Sequence, residues 1–147
     1  MEQFRGEKGS FMVNWPFVYS ATQGAVAEGS VEQSVMDDIA WTTWPRVDAD
    51  TPSAPPLGGI NLGVGSSSEQ QDLAWEAVEC ISDPANQAKY MVSDGNPAAA
   101  SSAYEDKAVQ EAYPMYEAIR ESLDSAAPRP QTPYYNEVST AIQQRYA

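Results

Sequence analysis

Eleven prolines divide this 147-residue chain into short pieces. Proline fixes φ and carries no amide N–H, so it can continue neither a central β-ladder nor a helix interior. Pro16 closes the apolar run that ends at Trp15, and Pro45 closes a run rich in tryptophan and threonine. A Pro- and Asp-rich loop spans Asp48 to Pro56. Asp83-Pro84, Tyr113-Pro114 and Thr132-Pro133 place the ring where a helix tolerates it best, in its first turn.

The pieces between these marks have readable periods. Residues 1 to 9 read as the end of a helix closed by Gly6 or Gly9. Ser10 to Asn14 is a short apolar run with β-branched and aromatic content, a predicted buried strand. Tyr19 to Ala27 reads as a helix; Gly29 interrupts it, and Val31, Val35, Met36 and Ile39 resume a helical spacing. Ala40 to Val47 and Ile60 to Val64 are predicted strands. The clearest helix runs from about Glu69 to Ser82, capped by Ser67 or Ser68, with Leu73, Ala74, Ala77, Val78 and Ile81 as its apolar stripe. A second follows, with Asp83 as N-cap, Pro84 at the first position and a left-handed stop at Gly95. Ser102 to Ala112, Tyr113 to about Asp124, and a last helix opening at Thr132-Pro133 complete the chain; Tyr134, Val138, Ala141, Ile142 and Tyr146 form the packing side of the last. This order predicts an α/β arrangement with few strands and a helical tail. Three strands make a thin sheet, which predicts one lobe of a larger protein.

Charge and composition exclude several functions. A net charge of −13 repels a phosphate backbone or an anionic lipid surface, so no nucleic-acid partner is expected. The chain has no histidine, which removes His-based triads and the commonest metal ligand. Its single cysteine, Cys80, shares a helical face with Leu73, Ala77 and Ile81 and is expected to be a buried thiol. No apolar stretch reaches the roughly 18 residues of a membrane span, and the first eight residues lack the apolar core of a secretory signal.

Three loops carry the chemistry. Trp15 and Phe17 stand where a run meets a turn, where flat faces can stack on the apolar C–H face of a sugar ring; equally, they can be core aromatics. Gly58 and Gly59 expose backbone for close approach, or form a plain turn. Arg129, between Pro128 and Pro130, offers a rigid fork of donors for vicinal hydroxyls, or makes a surface salt bridge. The acid pairs Asp37-Asp38 and Glu69 with Asp72 have the residue types of a glycosidase dyad, yet nothing in the sequence sets them beside the aromatic loops. Asp48-Ala49-Asp50 begins like a calcium loop but lacks its glycine and final glutamate. There is no phosphate-binding glycine loop and no nucleophile elbow.

Six stretches in order resemble one family. They are Gly9 to Phe17 with its Asn-Trp-Pro-Phe end, the run closed by Pro45, Leu57 to Val64, Ala74 to Ile81, Gly95 to Ala99, and Ala126 to Tyr135. Together they resemble the family-1 extracellular solute-binding proteins, the sugar receptors of bacterial ABC importers, and within them the trehalose- and maltose-binding branch. The resemblance implies a type II periplasmic-binding-protein-like α/β fold. Residues 1–147 would be the carboxy-terminal portion, mostly the second lobe, of a two-lobed protein whose amino-terminal lobe lies outside this chain. It implies that Trp15 and Phe17 stack on the sugar, that Gly58 and Gly59 present backbone to its hydroxyls, and that Arg129 hydrogen-bonds it. Ile60 takes a position that is often aromatic in that family, so one stacking plate is missing and the exact sugar is left open. The implied partners are a neutral di- or oligosaccharide and the transmembrane permease subunits, with no cofactor, no metal and no bond broken. The implied location is extracytoplasmic, by lipid anchor. Two other readings stay open: a carbohydrate-active hydrolase using a carboxylate pair, and a sensor or interaction lobe with no transport role.

Overall fold

The computed structural model describes residues 2–6 and 9–146. Among the described residues, eight α-helices and one 3-10 turn follow in sequence: α1 (Glu2–Arg5), α2 (Phe17–Ala27), α3 (Gln33–Asp37), α4 (Gln71–Ser82), α5 (Pro84–Asp94), the 3-10 turn (Ser101–Glu105), α6 (Lys107–Ala112), α7 (Tyr116–Ser125) and α8 (Tyr135–Tyr146). The expected helix end over residues 1 to 9 is met by α1, with Met1, Glu7 and Lys8 outside the described residues.

The α/β expectation is wrong for this chain: the described residues form no strand and no sheet. All three predicted strands, at 10–14, 40–47 and 60–64, are irregular. Among the described residues, the one β-type pairing is an isolated parallel bridge between Pro56 and Ala127, outside all three runs. The reason is that a strand is a property of a pair. Apolar and β-branched residues favour a pleated surface only where a neighbouring ladder takes up the N–H and C=O groups and covers the side chains. Here Phe11 is 97% exposed and Ile60 83%, so nothing covers the alternation that the sequence shows. Pro45 removes a further donor from the 40–47 run, and Pro16, Pro52, Pro55 and Pro56 stand in the stretches between the three runs.

The core lies in the second half. Ala88 and Met91 of α5, Ala98, Ala103 and Tyr104 around the 3-10 turn, Val109 of α6, and Tyr113, Met115 and Ile119 leading into α7 form one buried cluster. Local chemistry builds it as expected. The Asp83 carboxylate accepts from the amides of Ala85 (2.9 Å) and Asn86 (3.2 Å), and Pro84 opens α5. Gly95 closes α5 at φ +80°, its amide donating to the Met91 carbonyl. Asp106 caps α6 by accepting from Ala108, which splits the predicted 102–112 helix in two. Tyr104 is buried, its hydroxyl donating to the Ala98 carbonyl at 2.7 Å.

Helix α2 joins this core edge-on. The hydroxyls of Ser20 and Tyr113 share a hydrogen bond, and the Tyr113 hydroxyl also reaches the Met91 carbonyl. Tyr19 packs against Tyr113 with ring centroids 6.2 Å apart. Arg5 donates to buried Thr22 at 3.1 Å and so ties α1 to α2. By contrast, α4 and α8 bury no residue. Helix α4 starts at Gln71 without a side-chain cap; Ser68 instead accepts from the Gln70 amide. Of its stripe, Leu73, Ala77 and Ile81 face solvent while Ala74 and Val78 are half-buried, and Cys80 is exposed rather than buried. The helical period is present, but α5 meets α4 without burying any of its side chains fully.

Candidate functional site

The Trp15 turn is set by its neighbours. The Asn14 carboxamide oxygen accepts from the Trp15 amide at 2.8 Å, and Pro16 then starts α2, with the Trp15 and Pro16 carbonyls accepting the next amides. This leaves the indole half-exposed at 48%. It rests on the diglycine: a Cβ on Gly58 would fall 2.3 Å from the indole Cη2 and about 3 Å from both flanking ring carbons. Only glycine leaves room for that contact. Gly59 lies beside it at φ +148° with nothing within 4 Å of its Cβ position, so its backbone is open to approach.

The third loop is stitched to the second. The Leu57 amide donates to the Ala127 carbonyl at 2.8 Å, and the Ala127 amide donates to the Pro55 carbonyl at 2.9 Å. This bridge holds the Pro128-Arg129-Pro130 loop against the diglycine loop, which in turn carries the indole. Arg129 is exposed, and its side chain forms no hydrogen bond or ion pair with the described residues, unlike the surface salt bridge that a loop arginine usually makes. Trp15, Phe17, Gly58, Gly59, Ile60 and Arg129 all line one concavity.

That concavity is large and open, some 3850 Å³. Finished small-molecule pockets measure roughly 300–1,000 Å³ and enclose most of their ligand. This one is a wall rather than a chamber, and a ligand on it would stay wet on one side.

Two tryptophans outside the expected set share the wall. Trp41 (44% exposed) and Trp44 (41%) line the same concavity. Sequence reasoning placed both on a strand, where alternate residues take opposite faces, and so gave them no role at a site. The signal available was the Trp-Thr-Thr-Trp-Pro spacing, two large aromatics in a run that ends on proline. The concavity also gathers Arg5, Arg46, Arg120 and Arg129 with Glu32, Asp38, Glu121 and Asp124. Its charges balance on a chain whose net charge is −13.

Two of the acidic residues, Asp48 and Asp37, have local hydrogen-bonding roles. The Asp48 carboxylate accepts from the amides of Asp50 (3.0 Å) and Thr51 (2.7 Å), and its bonds to Thr51 lower its pKa. It is a turn-former, as short polar side chains in loops often are. Asp37 accepts from Gln33 one helical turn away. Among the described residues, no group of three or more His, Cys, Asp or Glu side chains is placed to hold a metal ion. No described helix is long and apolar enough to cross a membrane. Near the wall, burial raises the Tyr19 pKa, so that hydroxyl stays neutral at ordinary pH.

No protein-family model matches the chain. Among curated proteins, it is similar to one described as a probable ABC transporter-binding protein from Deinococcus radiodurans. The two are 30% identical over 136 residues, which is 90% of this chain and 31% of that protein. The chain thus spans about a third of the length of the relative that it matches. That similarity is to a binding protein rather than an enzyme by its description, and it says nothing of the ligand.

Proposed function

We propose that this chain is part of the solute-binding component of an ABC importer, and that the wall formed by its three loops contacts a neutral di- or oligosaccharide. One observation carries the reading: an exposed indole seated on a diglycine, with a proline-framed arginine tied to the same loop by backbone hydrogen bonds. Indole and phenyl faces match the apolar faces of a pyranose. Open backbone and a guanidinium match its hydroxyl rim. Balanced charge at the wall suits an uncharged ligand, and the similarity to a transporter-binding protein supports the transport role.

In this reading, residues 1–147 are the carboxy-terminal portion of a two-lobed receptor, extracytoplasmic and lipid-anchored. The opposite lobe supplies the rest of the ligand contacts, and the closed receptor docks on the permease. Closure is driven by the contacts that a bridging ligand makes with both lobes at once.

The test is calorimetry on the complete polypeptide against a panel of neutral sugars, with Trp15→Ala and Arg129→Ala beside it. Saturable binding of a saccharide without turnover, weakened by both substitutions, is the expected result. Hydrolysis of a glycoside, or affinity indifferent to both changes, would remove the assignment.

A further inference from the structure

Helix α4 carries its side chains in parallel rows. Asp72, Glu76 and Glu79 recur at helical spacing, and so do Leu73, Ala77 and Cys80 one position on. Ala74 and Val78 form the next row and are half-buried, and α5 meets the helix. The middle row is bare: Leu73 is 60% exposed, Ile81 at the end of the stripe is 58% exposed, and Cys80 is exposed as well. An apolar row with acids along one edge and half-buried residues along the other is the pattern of a helix with a second contact to make. Helix α4 contains no Lys or Arg, so nothing on the helix itself offsets the acidic edge. The area of the whole chain points the same way. A compact protein of 16.0 kDa presents about 7,400 Å² to water, whereas this one presents 11204 Å². The surplus, about 3,800 Å², is the size of an obligate interface. Charge and length name the occupant. A second copy would bring together two molecules of net charge −13, acidic edge to acidic edge. The stretch matched in the curated relative is only 31% of that protein, so a polypeptide of that length has ample further chain to lay on this face.

We propose that the Leu73–Ala77–Ile81 face of α4 is a packing surface for an amphipathic segment of the same polypeptide, outside residues 1–147. The apolar side of that segment covers the bare row, and its Lys or Arg side chains meet Asp72, Glu76 and Glu79. This rests on the reading of the chain as one portion of a longer receptor, and it does not depend on the ligand. Covering the row withdraws leucine and isoleucine from water, which supplies the free energy of the contact. The charges along its edge fix which segment fits and in which orientation.

Cys80 is the single thiol of residues 1–147 and stands in the row, so it reports the cover directly. In the complete polypeptide under reducing conditions, maleimide labelling of Cys80 is expected to be more than about ten-fold slower than in denaturant, read by mass spectrometry of its peptide. In residues 1–147 alone it is expected to proceed at the unprotected rate. Leu73→Ala and Ile81→Ala are each expected to lower the Tm of the complete polypeptide by at least about 3 °C. Glu76→Lys combined with Glu79→Lys is expected to lower it too, and less so at high salt. Light scattering is expected to show a monomer throughout. Labelling of Cys80 as fast in the complete polypeptide as in denaturant, or slow labelling in residues 1–147 alone, overturns the surface. Protection that disappears on dilution, together with a dimer in light scattering, overturns it in favour of a second copy. A Tm indifferent to the charge reversal overturns the cationic occupant. Sugar calorimetry on the same polypeptide is a separate readout: its failure removes the carbohydrate reading and leaves this face standing. A native protein that contains residues 1–147 and nothing more removes both this face and the two-lobed receptor.

Discussion

Gly58 shows how much one missing methyl group can decide. The indole of Trp15 occupies the space that any Cβ at position 58 would need. Gly58→Ala therefore has to turn the indole away. The expected outcome is a shift in tryptophan emission and, on the proposed carbohydrate role, at least about a ten-fold loss of affinity, with the helical circular-dichroism signal unchanged. Gly95 is the second such position and belongs to the core instead. At φ +80°, with a Cβ site 2.9 Å from the Ser20 side chain and 3.2 Å from the Tyr113 hydroxyl, it admits no side chain without strain. Gly95→Ala is expected to lower stability by about 1–3 kcal/mol, read as a fall in Tm, because it adds a left-handed strain to a steric clash. The role of Gly95 was legible in the sequence, since Asp-Gly after a helical period marks a left-handed stop. That of Gly58 was not, because its partner lies 43 positions earlier in the chain and only the folded molecule brings the indole to it.

At the scale of elements, helices divide into those that carry the fold and those that do not. Met91 and Ile119 are buried in α5 and α7, whereas Ile142 of α8 stands exposed. Met91→Ala or Ile119→Ala is expected to cost about 2–5 kcal/mol in chemical denaturation, and Ile142→Ala less than about 0.5 kcal/mol in the 147-residue chain. Hydrogen exchange should follow the same order, with α8 amides exchanging well before those of α5 and α7. Helix identity was readable throughout, because capping and a 3.6-residue period are local. Burial was not. The stripe of α4 has the period of a packed helix, yet only Ala74 and Val78 are half-buried, and Leu73, Ala77 and Cys80 meet solvent. Strands failed for the same reason more severely: a helix closes its own hydrogen bonds, while a strand must borrow its partners.

Across the whole molecule, alkaline pH probes the core most directly through Tyr104. Burial pushes the Tyr104 hydroxyl up to about 12, above its ordinary value of 10.0. The folded state thus favours the neutral phenol. Its contribution to stability is complete below pH 10 and is lost as pH rises from about 10 through 12, where the unfolded chain ionises first. Tm measured across that window should fall, and the fall should flatten in Tyr104→Phe, which starts lower because it gives up the bond to the Ala98 carbonyl.

Read alone, the chain determined most of its helices, the caps at Asp83 and Gly95, and its acidic balance, since each depends on neighbours a few positions away or on composition. Only the tertiary structure decided that the apolar runs stay unpaired, that α4 and Cys80 face water, that Trp15 sits on Gly58, and that Trp41 and Trp44 share its wall. Those outcomes depend on what lies across from a residue in space, and a linear pattern records the wish for a partner without recording whether one arrives.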